Sequence, residues 1–136
     1  MRKLSLAGWF VAFLFAGTLL IPAPASAHHS AAMFDHDKKV SLSGTVVQFG
    51  WTNPHSWISI DVPNESGGVD RWSVECNSPN NLARQGWKST SLKPGDKVTV
   101  VIHPLRNGDK GGSFLSVTFP DGTVLADPTY NAHPKY

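Results

Sequence analysis

The sequence predicts an all-β fold: a small OB-like barrel of five to six strands, with one short helix between the third and fourth strands. Three observations carry this reading. From Val40 onward the apolar residues fall in short period-2 runs separated by Gly, Pro and Asn. The first run is long and changes its apolar face partway, as a strand serving two parts of a barrel core must. One helix-start signal, Ser78-Pro79, interrupts the strand series at the place an OB-fold puts a helix. A small sandwich is the competing architecture.

Ahead of the strands, Met1-Arg2-Lys3 gives a positive start and Leu4 to Ile21 carries no charge. Pro22 and Pro24 break the apolar run, and Ala25 and Ala27 form the small-x-small pair that a signal peptidase selects. Cleavage after Ala27 is expected, with an uncleaved anchor as the alternative. Removing 27 of the 136 residues leaves 109, with His28 first. Loss of Arg2 and Lys3 leaves ten basic side chains against ten acidic ones, so the formal charge falls from +2 to zero. Nucleic acid is therefore not an expected partner, because phosphate binding needs a basic surface. Cys76 is the only cysteine, so no internal disulfide forms and no cysteine follows the apolar run to take a lipid. A periplasmic protein, free of the membrane after cleavage, is expected. Residues 28–39 read as an N-terminal arm, 40–125 as the barrel and 126–136 as a flexible tail.

Within the first strand, Val40, Leu42 and Val46 share one side, while Val47, Phe49 and Trp51 share the other; the change is expected near Gly44. Ser56 to Val62 and Val69 to Cys76 then form a hairpin around "PNESGG". The register that gathers the apolar side chains opposes Ile58 to Val74 and Ile60 to Trp72, and places Asp61 against Arg71. It puts His55, Trp57 and Glu75 on the face away from Ile58 and Ile60, with Cys76 on the core side. Ser78 caps a short helix that has Pro79 in its first turn and ends at Gly86. "KPGD" turns into Lys97 to His103, with Val98, Val100 and Ile102 on one face. Ser113 to Phe119 and a short strand near Val124-Leu125 complete the series.

The ordered set of "HHS" at 28–30, "TNPH" at 52–55, "SPN-x-L-x-R-x-GW" at 78–87 and "KPGD" at 93–96 resembles a family of small exported bacterial proteins, domain-of-unknown-function family 6152. The resemblance covers nearly the whole mature chain. It implies that the "HHS" start, the "TNPH" turn and the "SPN" helix entry belong together, and it carries no activity. Cys76 stands where such proteins often have a small or apolar residue, which argues against thiol chemistry common to the family.

A mature N-terminal His28 offers its α-amine and ring Nδ1 to one metal ion, and one further imidazole completes a planar three-nitrogen set suited to Cu(II). The arrangement is similar to the histidine brace of copper carriers and monooxygenases, a likeness of site and not of fold. Donors for the third place are His29, His36, His55 and His103. His55 is preferred, since the "TNPH" turn ends the barrel and the register frees its ring from the core; His29 follows, being adjacent to the amine. Glu75 is expected to orient a ring N–H from behind. The plain alternative is that two histidines in a loose start do nothing and that His55 only bonds a turn. Asp35, His36 and Asp37 read as a solvated charge run, His103 and His133 as polar positions before proline, and Cys76 as a small buried hydrophobe.

Trp51, Asn53, Trp57, Asn77, Asn80, Arg84 and Trp87 form a second constellation, of flat apolar faces among amide and guanidinium donors. An OB barrel could present it to a glycan, a peptide or an envelope protein. The plain reading is that Trp87 and Leu82 seat the helix. No nucleophile elbow, phosphate loop or H-E-x-x-H spacing occurs. The sequence thus points to a non-enzyme: a metal carrier with copper as its cofactor, or alternatively an envelope adaptor or ligand-binding module.

Overall fold

The computed structural model describes residues 31–130. Six strands follow in order: β1 (Val40–Gly50), β2 (Trp57–Pro63), β3 (Val69–Glu75), β4 (Lys97–Pro104), β5 (Gly111–Thr118) and β6 (Val124–Ala126), with helix α1 (Pro79–Arg84) between β3 and β4. They form one sheet in the order β3-β2-β1-β4-β5-β6, and a parallel pairing of β3 with β5 closes five strands into a barrel. β6 lies outside the closure, on β5. The expected all-β barrel, with one short helix between the third and fourth strands, is therefore present. A closed barrel leaves the five strands few unpaired edges, which a sandwich would have to cover by other means.

β1 is the organising element. Its middle residue Thr45 pairs with Asp61 of β2 on one side and Lys97 of β4 on the other. Gly44 beside it allows β2 to come close: a Cβ at this position would overlap the Asp61 carbonyl oxygen. The change of face comes later than expected. A β-bulge between Val46 and Gln48 shifts the register, so Leu42 and Val46 face the core before it and Phe49 and Trp51 pack against the core after it. The extra residue of a bulge, not a glycine kink, is what swaps the face.

The β2–β3 register is the one the apolar pattern demands: Ile58 opposes Val74, Ile60 opposes Trp72 and Asp61 opposes Arg71. Ile58, Ile60 and Val74 are fully buried, and Val98, Val100 and Ile102 of β4 meet them in the same core. On the outer face Arg71 Nε and Nη2 donate to the two carboxylate oxygens of Asp61 at 2.8 and 3.0 Å. That guanidinium holds the Asp61 carboxyl below the usual carboxylate range, first by hydrogen bonding and then by charge.

Helix α1 is set by its caps. Ser78 Oγ accepts from the Asn81 N–H, Pro79 occupies the first turn and the chain leaves at Gln85-Gly86. Leu82 and Trp87 seat this segment on the barrel end, where the Trp87 ring packs against Phe49 and Phe114. Six residues form a helix too short to persist alone, so burial of these two side chains is what maintains it.

Both flanking segments are docked over the part of their length described. In the arm, Phe34 is buried and bridges to Leu105, Asp35 N–H donates to the Pro104 carbonyl and Arg106 N–H donates to the Met33 carbonyl. After β6, Asp127 N–H donates to the Leu115 carbonyl, and Asp127 in turn accepts from the Thr129 N–H and hydroxyl. Trp87 Nε1 donates to the Ala126 carbonyl at 3.3 Å. The stretch expected to be loose from Ala126 onward is thus held as far as Tyr130, because its backbone, not an apolar pattern, supplies the contacts. Among the described residues no helix is long and apolar enough to cross a membrane.

Candidate functional site

The "TNPH" turn enters β2 through the cis peptide Asn53–Pro54. Thr52 Oγ1 donates to the His55 carbonyl, Ser56 N–H donates to the Asn77 carbonyl and Cys76 N–H donates to the Ser56 carbonyl. These bonds continue the β2–β3 ladder past its formal end. They bring His55 diagonally beside Glu75, which pairs with Trp57. His55 Nδ1 donates to Glu75 Oε1, so the carboxylate holds the ring. With Nδ1 carrying the proton, Nε2 keeps its lone pair. The His55 side chain is 41% exposed and that of Glu75 14%, so the carboxylate backs the ring from the barrel side while the imidazole stays reachable.

Glu75, Ser113 and His103 stand in one row across β3, β5 and β4. By strand alternation their side chains lie on the face away from Val74 and Ile102. The arm and the segment after β6 cross this face, and an open cavity of about 520 Å³ lies between them, lined by Ala31, His36, His55, Glu75, His103 and Asp127 among others. Lys39 of the arm sits over the Tyr130 ring, 5.0 Å from its centre, where the two segments meet at the cavity wall.

His36 is solvent-exposed, and its ring is nonetheless engaged. Its Nε2 donates to the Ala31 carbonyl at 3.0 Å, and its ring meets that of His103 edge to face with centres 5.0 Å apart. His103 Nδ1 donates to the Lys38 carbonyl at 2.6 Å. Asp35 next to it behaves differently: it bridges Lys38 and Arg106, and the Lys38 hydrogen bond leads in holding its carboxyl below the ordinary range. Among the described residues no group of three or more His, Cys, Asp or Glu is assembled to hold a metal ion. The donors here come in pairs, His55 with Glu75 and His36 with His103. His28, His29 and His133 lie outside the described residues.

Cys76 is buried on the core side, and burial pushes its thiol well up, which leaves it protonated and unreactive at neutral pH. The tryptophan and asparagine constellation separates. Trp87 is only 2% exposed and offers no free face, while Trp51 is half-buried with its ring edge to face against Phe49. Asn77 is occupied by the Ser78 N–H, Asn81 and Asp127. Trp57 is 41% exposed, and Asn53, Asn80 and Arg84 are exposed. A larger hollow of about 720 Å³ lies at the opposite end of the strands, where Asp61 is matched by Arg71 and Lys97 donates to Thr45.

The model of DUF6152, a family of unknown function, matches residues 18–114. The chain belongs to this family. The matched span runs from within the apolar run to β5 and includes His28, His29, His36, His55, Glu75 and His103; β6 and Asp127 fall beyond it. No curated protein and no solved structure matches the chain.

Proposed function

We propose that this DUF6152 protein is a periplasmic copper carrier, in which signal cleavage after Ala27 creates the metal-binding amino terminus. The α-amine and ring of His28 chelate Cu(II), and His55 Nε2 supplies the third nitrogen, with His29 next in line for that place. The observation that carries the reading is the His55–Glu75 pair on a cavity whose wall includes Ala31. Ala31 is three residues from His28, and three residues span at most about 11 Å. In this reading the amine meets a ring whose Nδ1 is already engaged by Glu75, which leaves Nε2 for a metal. A late, nitrogen-preferring ion fits this donor set better than calcium or magnesium, which take oxygen ligands. In this reading the role is carriage or delivery and not turnover, since a copper oxygenase needs a broad substrate platform that 109 residues can hardly add to a barrel.

The test is a Cu(II) titration of protein beginning at His28 beside the same protein with its α-amine acetylated. The reading expects one tight equivalent in the first, with an axial, nitrogen-rich electron paramagnetic resonance signal, and its loss in the second. Equal binding by both forms would remove the amine from the site.

A further inference from the structure

His36 and His103 come from distant parts of the chain and meet in the cavity described above. A backbone carbonyl can only accept a hydrogen bond, so the nitrogen facing it must carry the ring proton. For His36 that nitrogen is Nε2, facing Ala31, and for His103 it is Nδ1, facing Lys38. Each ring therefore keeps one lone pair, on His36 Nδ1 and on His103 Nε2, and neither nitrogen has a hydrogen-bond partner among the described residues. Tying one nitrogen to an oxygen acceptor while leaving the other bare is how metal-ligating histidines are held.

The spacing agrees. Imidazoles bound to one ion at metal–nitrogen distances near 2.0–2.1 Å place their ring centres roughly 4.5–5.5 Å apart, and these two are 5.0 Å apart. An edge-to-face aromatic contact would account for the approach of the rings. It would not by itself fix the tautomer of each ring, which the Ala31 and Lys38 carbonyls do, in a cavity that Asp127 also lines.

We infer that His36 and His103 are a two-imidazole site for a late divalent transition-metal ion, separate from the His28–His55 site and independent of signal cleavage. Because His36 belongs to the arm and His103 to β4, an ion held by both pins the arm to the barrel.

The experiment uses protein with His28→Ala, His29→Ala and His55→Ala, so that the amino-terminal site is removed, with Zn(II) as the probe. One equivalent is expected to bind, to raise the melting temperature, and to weaken at least tenfold in His36→Gln and in His103→Gln. Histidine-labelled nitrogen NMR of the parent, which needs no further substitution, is expected to shift at His36 Nδ1 and His103 Nε2. No binding by the parent, binding that both Gln variants retain, or shifts confined to other histidines would each overturn the inference. A failure of the His28 site alone appears in the titration of the acetylated protein and leaves this result untouched.

Discussion

His55 Nδ1 donates to Glu75 Oε1 across the end of the β2–β3 ladder, and this bond fixes which ring nitrogen faces outward. A carboxylate behind a ligating imidazole raises its basicity and limits its rotation. Glu75→Gln keeps the size and removes the charge. It is expected to weaken Cu(II) binding about 10–100-fold with an unchanged circular dichroism spectrum, measured by competition against a chelator of known affinity.

Gly44 lies in β1 opposite Val98 of β4, with the β2 backbone pressed against its other side. Gly44→Ala drives a methyl into the Asp61 carbonyl and is expected to cost about 1–3 kcal/mol. Gly50→Ala serves as the control, because its Cβ would meet the Trp57 carbonyl at an ordinary 3.8 Å. Urea unfolding of the two variants checks the difference.

Trp87 and Trp57 separate packing from surface. Trp87→Ala empties a core position between Phe49 and Phe114 and is expected to lose about 3–5 kcal/mol. Trp57→Ala, on the exposed face, is expected to stay within about 0.5 kcal/mol of the parent. Denaturant midpoints give both values.

The Asp61–Arg71 pair sets a pH dependence. The Arg71 hydrogen bond and charge depress the Asp61 carboxyl in the folded state. A depressed carboxyl adds stability above its unfolded pKa of about 3.9 and loses that contribution as pH falls through the folded value. Asp61→Asn should therefore melt lower than the parent at neutral pH, and the gap should close as the pH falls below about 4. Thermal melts of both proteins across that range test the sign.

Much of the barrel is legible in the sequence because its signals are local. The β2–β3 register follows from period-2 apolar positions and one opposed charge pair, and α1 follows from Ser78, Pro79 and Gly86. The bulge is not legible, since Val46 and Val47 are both apolar and the pattern does not say which residue is extra. The docking of the arm is not legible either: it rests on backbone bonds and on Phe34, without a period to mark it. His103 follows Ile102 in alternation, so its outward face could be read; that the arm would carry His36 across it is a long-range fact no local pattern records.

The central claim is that the amino terminus and His55 hold the same ion. Pulsed electron paramagnetic resonance of Cu(II)-loaded protein beginning at His28, beside its His55→Gln variant, tests this most directly. The account predicts that the modulation from the remote nitrogen of one imidazole disappears in the variant while the signal of the amino-terminal chelate remains. Identical spectra from the two proteins would contradict it, and would place the copper on the amino-terminal histidines without the barrel.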